Sequence, residues 1–495
     1  MTETNNQSTV KKVAKGSVKL SASQGLGQVS LFVRNVILAR LISTSDLGVA
    51  SIFAMTAYLL EMMSNLSTEM LLIQAPDGDE PDFQATSQLV MASRGLLNAL
   101  LLLLLAAPLA RLFGIPQARW AFAAMALVPL MKGFTHLDAN RVQRRMQFEP
   151  WILVNLIPNV AVTVLAYPLA LWLKNYTVML WVLIAQMAIT VLVSHLVAER
   201  KYAWAWNRTY TRKIFEFGWP LVINGVLMYL IFQGDRFVIG AAHQLFPKSS
   251  FTLSDLGIYS VAFGLTLAPS LLVASVASSL FFALLSQSQN DRTQFQRRYF
   301  MAAQTIALAS AVITIPFVVA GGPLVTFIYG QKYASAASFI GWLAAMQFLR
   351  TVRVAPTMAA MSLGDTENSM YSNIARSSAF VATLIAAAVG RNMAWIAICG
   401  FFGEILANVV CIQRLRKRHA VPARLCLYPA AVAGTGLVLA ALIGFSGLGA
   451  TTLPIAILAA TAITALVVCG MLFLFPGLRQ GLRTIVFRSE PSVTI

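Results

Sequence analysis

The stretch SVKLSASQGLGQVSLFVRNVILARLISTSDLGVASIF, residues 17–53, decides the fold of this chain. Its first part is long enough to cross a bilayer, which takes about 20 helical residues. At about 100° per residue a polar face runs along this helix, with Arg34 at its flank. That face contains Ser17, Ser21, Gln24, Gln28 and Asn35. Because polar groups need water or protein around them, we predict a membrane helix that does not face lipid on all sides.

The end of this stretch recurs later in the chain. TSDLGVASIF at 44–53 is echoed by LSDLGIYSVA at 253–262, and the segment 35–39 is echoed by 236–240. The alignment places Arg34 opposite Asp235, so the two copies differ in charge at this position. The repeats predict that the chain arose by duplication of a membrane-embedded unit.

The composition indicates a polytopic α-helical membrane protein. Hydrophobic residues make up 58% of the 495 positions and charged residues 11%, against about 25% charged residues in soluble domains. We predict about 14 transmembrane helices, near 17–43, 47–73, 85–110, 118–140, 151–173, 177–197, 217–241, 257–283, 299–321, 338–362, 372–390, 395–413, 427–447 and 453–475. The net charge of +18 is concentrated in alternate loops. This distribution predicts membrane topology with both termini in the cytoplasm, and no nucleic-acid partner.

These spans predict an organisation in six parts. They are a cytoplasmic tail at 1–16, an N-terminal six-helix bundle at 17–197, a basic linker at 198–216, a C-terminal six-helix bundle at 217–413, a basic loop with two additional helices at 414–475, and a cytoplasmic tail at 476–495.

The loops contain three basic segments and one acidic segment. The basic segments RVQRRMQF (141–148), ERKYAWAWNRTYTRK (199–213) and RLRKRHAVPAR (414–424) are predicted to anchor the helices at the membrane surface. The acidic segment APDGDEPDF (75–83) is predicted to be a solvated turn.

The sequence shows no pattern typical of a catalytic or metal site. The four cysteines, Cys399, Cys411, Cys426 and Cys469, are irregularly spaced, and the histidines do not cluster. We therefore expect no disulfide, metal, cofactor or catalytic residue, and we expect the function to lie inside the helix bundle.

Charged residues within the predicted spans are the candidate functional residues. A charge at mid-bilayer costs at least about 2.5 to 3.5 kcal/mol, so each needs a partner or a wet cavity. The deep arginines outnumber the nearby acids and are predicted to bind an anionic cargo, since guanidinium binds phosphate through two donors. The predicted set is Arg34, Arg94, Arg350 and Arg353 for the cargo, Glu61, Glu69, Asp235 and Glu404 for ion pairing or ion coupling, and Gln24, Gln28, Asn35 and Asn224 for the polar cavity wall.

Two further expectations concern the partners of these charges. Arg94 is the predicted partner of Glu61. Interhelical ion pairs or side chains reaching the membrane surface are expected for Arg40, Lys132, Asp138 and Arg376, which lie near span ends.

Four segments together resemble a known family. LARLISTSDLGVASIF (38–53), SRGLLNALLLLLLAAPLARLFGIP (93–116), RVQRRMQFEP (141–150) and FGWPLVINGVLMYLIFQGDRFVIG (217–240) resemble the polysaccharide transporter family. Its members are lipid-linked oligosaccharide flippases of the multidrug, oligosaccharidyl-lipid and polysaccharide exporter superfamily. The resemblance implies two six-helix bundles forming a V around a central cavity. It also implies movement of an undecaprenyl-diphosphate-linked oligosaccharide to the periplasmic leaflet of the bacterial inner membrane, for exopolysaccharide or O-antigen synthesis.

The source of energy and the partners stay open at this point. Outward movement of about two negative charges is favoured by about 4 to 5 kcal/mol per 100 mV of inside-negative potential, and coupling to H+ or Na+ is an alternative. We expect a monomeric protein in contact with membrane lipids and with polysaccharide polymerase or export machinery. Two other functions fit a membrane protein of this kind: a multidrug or cation exporter, which favours acidic cavity residues, and a polysaccharide polymerase or ligase, which needs a long catalytic loop.

Overall fold

The structure, a computed structural model, describes residues 2–445 and 453–479, so most of the predicted tail at 476–495 lies outside the described residues. All regular secondary structure in these two ranges is helical. The chain divides after Gly257 into two compact units. The described part is a multi-pass membrane protein, because ten of its helices are long and apolar enough to cross a bilayer.

The first unit contains α1 to α10 and the start of α11. These are α1 Thr2–Leu41, α2 Thr44–Ser64, α3 Thr68–Gln74, α4 Pro81–Leu112, α5 Arg119–Met125, α6 Leu127–Gly133, α7 Asp138–Gln143, α8 Glu149–Leu173, α9 Thr177–Leu196, α10 Arg208–Leu245 and α11 Leu253–Ser286, with a 3-10 turn at Pro116–Ala118.

The second unit contains the rest of α11 and seven further helices. These are α12 Arg292–Tyr329, α13 Ile340–Val352, α14 Val354–Ser362, α15 Glu367–Ala388, α16 Met393–His419, α17 Arg424–Phe445 and α18 Leu453–Leu474, with a 3-10 helix at Gln331–Ser338.

Besides the second predicted span, described below, two predicted spans are broken in the structure, and each of these two breaks has a proline as its physical cause. The span at 118–140 divides between Met125 and Leu127, and the span at 338–362 divides between Val352 and Val354. Proline has no N–H, so Pro129 cannot donate to the Met125 carbonyl, and Pro356 cannot donate to the Val352 carbonyl. These are the fourth predicted spans of the two repeats, so the breaks occur at matching places.

The repeated S-D-L-G segments lie at the starts of two helices that begin in the same way. Ser43 Oγ accepts a hydrogen bond from the Asp46 N–H at 3.0 Å, and Thr252 Oγ1 accepts one from the Asp255 N–H at 3.2 Å. Each therefore caps the first turn of its helix, α2 or α11.

The repeated glycines permit close packing within the first unit. A Cβ at Gly48 would lie 1.9 Å from the Leu253 carbonyl oxygen, and one at Gly257 would lie 2.1 Å from the Thr44 carbonyl oxygen. The start of α11 thus lies against the start of α2, and only glycine fits at these two points.

Candidate functional site: a cleft in the first unit and an arginine cluster in the second

The second predicted span does not continue to residue 73. α2 ends at Ser64, and Ser67 adopts a left-handed conformation with φ 50° before α3 begins. The prediction of a single helix at 47–73 was therefore wrong. Glu61 lies on α2, whereas Glu69 lies on α3 beyond the break.

A small cleft of about 60 Å³ lies in the first unit among α2, α4, α5, α6 and α9. Its polar wall consists of Glu61, Ser64, Arg94, Asn98 and Lys132. The apolar part of the wall includes Met125, Val128 and Pro129, so the cleft lies at the break between α5 and α6. A membrane helix that is interrupted beside charged side chains is typical of substrate and ion sites in transporters.

The pairing inside this cleft differs from the prediction. Glu61 forms its ion pair with Lys132, and Arg94 instead donates to the Asn65 Oδ1 at 3.3 Å and the Ser64 carbonyl at 3.4 Å. The Ser64 carbonyl ends α2, where a cation is favoured by the helix dipole. Arg94 therefore lies in the cleft without an ion pair to Glu61.

Arg34 lies within the packing of α1, α8 and α9. Arg34 is only 5% exposed, and its Nη1 donates a hydrogen bond to the Gln186 Oε1 at 2.9 Å. Gln186 in turn donates to the Asn159 Oδ1 at 3.2 Å. Among the described residues Arg34 Nε has no hydrogen-bond partner. Arg34 is thus held by the neutral amide of Gln186 and does not lie in the cleft.

The other predicted polar residues of the first unit lie on its helix surfaces. Gln24, Gln28, Asn35 and Asn224 are exposed, and Asp235 is partly buried on α10. The Arg236 beside Asp235 donates to the Phe232 carbonyl at 2.7 Å.

Three arginines meet one carboxylate in the second unit. Glu404 is completely buried, and its Oε1 lies 2.9 Å from Arg350 Nε and 2.7 Å from Arg376 Nε. Arg353 Nε lies 3.5 Å from the Glu404 Oε2, and its Nη1 donates weakly to Ser372 and Asn373. These four charged side chains form what we call the arginine cluster, which carries a net charge of +2.

The arginine cluster lies beside the second helix break. Arg350 is in the last turn of α13, Arg353 is the residue between α13 and α14, and Arg376 and Glu404 come from α15 and α16. The sequence predicted Arg350, Arg353 and Glu404 as site residues, and it predicted interhelical ion pairs or side chains reaching the membrane surface for Arg376 and Lys132. The contacts of Arg376 with Glu404 and of Lys132 with Glu61 confirm the ion pairs, but the sequence did not assign these two residues to a site. Pro129, three residues before Lys132, was the available sequence signal for that residue.

The acidic segment 75–83 is not a simple solvated turn, because its carboxylates form ion pairs with side chains of the basic segments. Asp79 pairs with Arg141 at 3.0 Å and Arg145 at 2.8 Å, and these hydrogen bonds, chiefly that from Arg145, lower the pKa of Asp79 to about 2. The further ion pairs of this network are Arg141 with Asp138 and Glu199, Arg200 with Asp79, and Lys213 with Asp77. The third basic segment pairs similarly with Asp365 and Glu367.

Comparison with known proteins agrees with the predicted resemblance. The family model described as "Polysaccharide biosynthesis protein" matches residues 37–338. The succinoglycan biosynthesis transport protein ExoT of Rhizobium meliloti is 27% identical over 353 residues, which covers 70% of this chain and 67% of that protein.

Two solved structures share the fold. The inward closed conformation of the lipid II flippase MurJ matches with a TM-score of 0.70 at 15% identity, covering 91% of this chain and 98% of that one. An inward-facing multidrug resistance MATE family transporter of the MOP superfamily matches with a TM-score of 0.61 at 14% identity, covering 79% and 95%. Since the family model covers more than half of the sequence, this chain belongs to the polysaccharide biosynthesis protein family.

Proposed function

We propose that this protein is a flippase for a lipid-linked oligosaccharide. The substrate is an undecaprenyl-diphosphate-linked repeat unit, which moves from the cytoplasmic to the periplasmic leaflet of the bacterial inner membrane for exopolysaccharide or O-antigen synthesis. Membership of the polysaccharide biosynthesis family supports this function, as do the name of the succinoglycan transport relative and the fold shared with the lipid II flippase.

The arginine cluster is the observation that carries the proposal. Three guanidinium groups gathered around one carboxylate are costly to bury, because each charge loses its hydration. A phosphate-bearing cargo gives such an excess of cations a use, since planar guanidinium donors match phosphate oxygens. A cationic drug has no such complementarity, so the cluster favours a polysaccharide precursor over a drug.

The residues have distinct proposed roles. Arg350 and Arg353 bind the diphosphate on the second unit, and Arg94 offers a further cation in the cleft of the first unit. Arg34 remains a proposed diphosphate ligand that becomes available only when the packing of α1 against α8 and α9 loosens. Glu61 and Asp235 are the proposed positions for any coupling to H+ or Na+, with the membrane potential as the default source of energy.

A vesicle assay tests this function directly. The full-length protein is reconstituted with an undecaprenyl-diphosphate-linked oligosaccharide, and the sugar that reaches the opposite leaflet is measured with an impermeant lectin. We expect flipping that is absent from protein-free vesicles. Efflux of a cationic dye by the same vesicles, with no flipping of the oligosaccharide lipid, would assign the protein to drug export instead.

A further inference from the structure

Glu404 is the residue on which the arginine cluster is centred. Its side chain has no exposed area, whereas the side chains of Arg350, Arg353 and Arg376 keep 10%, 11% and 7% of theirs. The carboxylate is therefore the most deeply buried group of the cluster. The small exposed area of the cluster belongs to the three arginine side chains.

The contacts of Glu404 are unequal. Arg350 and Arg376 approach its Oε1 to 2.9 and 2.7 Å, but Arg353 remains 3.5 Å from its Oε2. Arg353 is also the residue at the α13–α14 break, where Pro356 removes a backbone hydrogen bond. The weakest of the three ion pairs thus lies at the place where the helix is easiest to bend.

We propose that Glu404 is a built-in counter-anion that competes with an incoming phosphate or diphosphate group for these three arginines. Carboxylate and phosphate oxygens accept from the same guanidinium donors, so Glu404 mimics the ligand while the site is empty. The ligand exchanges for Glu404 at Arg353 first, because that contact is the longest. This competition keeps the binding of the ligand weak enough for its release. That the ligand is a lipid-linked diphosphate rests on the proposed function.

The first test measures binding of inorganic pyrophosphate to the purified full-length protein by calorimetry. Glu404→Gln removes the competing charge, so we expect it to bind pyrophosphate at least about tenfold more tightly than the wild type. Glu367→Gln is the matched control, because Glu367 also pairs with two arginines but its side chain is 54% exposed. Its affinity should equal that of the wild type. Unchanged or weaker binding by Glu404→Gln would overturn the proposal. Glu404 would then serve only to hold α13, α15 and α16 together through its ion pairs.

A second variant keeps the test decisive if Glu404→Gln does not accumulate. Arg376→Gln removes one cation and retains the contact of Arg350 with Glu404, so we expect pyrophosphate binding about tenfold weaker than in the wild type. An unchanged affinity would contradict the proposal.

Two titrations with lipids distinguish a lipid headgroup from a free anion as the ligand. The protein in nanodiscs is titrated with undecaprenyl diphosphate or with undecaprenol, and tighter binding of the diphosphate lipid by Glu404→Gln supports a headgroup as ligand. Tighter binding of inorganic pyrophosphate alone supports a free anion at the same site. The flipping assay separates the two proposals, since an anion site without flipping refutes only the flippase, and flipping with unaltered anion affinity refutes only the role of Glu404.

Discussion

Pro129 and Pro356 follow the breaks in two corresponding helices at the same distance. Pro129 comes four residues after Met125, where α5 ends, and Pro356 comes four residues after Val352, where α13 ends. In each unit the break lies beside clustered charges: Lys132, Glu61 and Arg94 in the first, and the arginine cluster in the second. The duplication therefore preserves an interrupted helix, while the charges around it have diverged.

Restoring the missing backbone donor should impair movement without harming the fold. Pro356 lies in the first turn of α14, where proline is tolerated and alanine fits equally well, so Pro356→Ala should be about as stable to heat as the wild type. Because a continuous helix hinders bending at Arg353, we expect flipping to fall about tenfold. Pro429→Ala, in α17, is the control and should flip normally. Full activity in the Pro356 variant would show that the break has no mechanical role.

The close packing at Gly48 predicts that one added methyl group lowers the stability of the protein strongly. Gly48→Ala places a Cβ 1.9 Å from the Leu253 carbonyl oxygen, so the start of α11 must shift. We expect a destabilisation of about 1 to 3 kcal/mol, measured by thermal unfolding in detergent. Gly264→Ala has no atom within 4 Å of its new Cβ and should unfold at the wild-type temperature or above. Equal stability of the two variants would be inconsistent with the close contact.

The Asp79 network predicts a loss of stability in acid. The pKa of Asp79 is lowered to about 2 in the folded protein, below the value of about 3.9 expected in the unfolded chain. Because the folded-state pKa is the lower one, this stabilisation is present above pH about 4 and disappears as the pH falls towards 2.

Asp79→Asn should therefore unfold at a lower temperature than the wild type at pH 7, and the difference should shrink as the pH approaches 2. Asp82→Asn lies in the same acidic segment but outside the ion pairs of the Asp79 network, so it serves as control and should behave as the wild type does. A difference that stays constant down to pH 2 would argue against the ion pairs as its cause.

The membrane potential should drive flipping in the absence of ion gradients. Export of about two negative charges gains about 4 to 5 kcal/mol per 100 mV, so imposing an inside-negative potential should accelerate outward flipping. The measurement uses vesicles with H+ and Na+ equal on both sides and a K+ diffusion potential. An unchanged flux when the potential is collapsed, together with acceleration by a pH or Na+ gradient, would assign the coupling to an ion instead.

Much of the architecture follows from local patterns in the sequence. The apolar runs located most of the membrane helices, and the repeat of Asp46 and Gly48 at Asp255 and Gly257 reflects real helix caps and close contacts. The apolar runs and the helix caps depend on residues near one another in the chain, so the sequence alone predicts them. The contacts of Gly48 and Gly257 join segments far apart in the chain, and the sequence indicated them only through the repeat. The arrangement of two bundles in a V remains a prediction.

The partners of the buried charges could not be predicted in the same way. Glu61 pairs with Lys132 rather than Arg94 because helix packing brings α6, and not the tip of the Arg94 side chain, against its carboxylate. Arg376 joins Glu404 for the same reason, since α15 packs along α16. Helical periodicity gives the face on which a side chain lies, but it does not give the neighbouring helix or the depth at which two helices cross.

The initial rate of flipping by Arg353→Gln tests the central claim most directly. Arg353 lies at the helix break and contacts the buried Glu404, so its replacement by a neutral amide of similar polarity removes one phosphate-binding charge. In vesicles with matched amounts of protein we expect flipping to fall at least about tenfold, while Arg424→Gln at the start of α17 flips at the wild-type rate. Wild-type flipping by the Arg353 variant would contradict a role for the arginine cluster in holding the diphosphate.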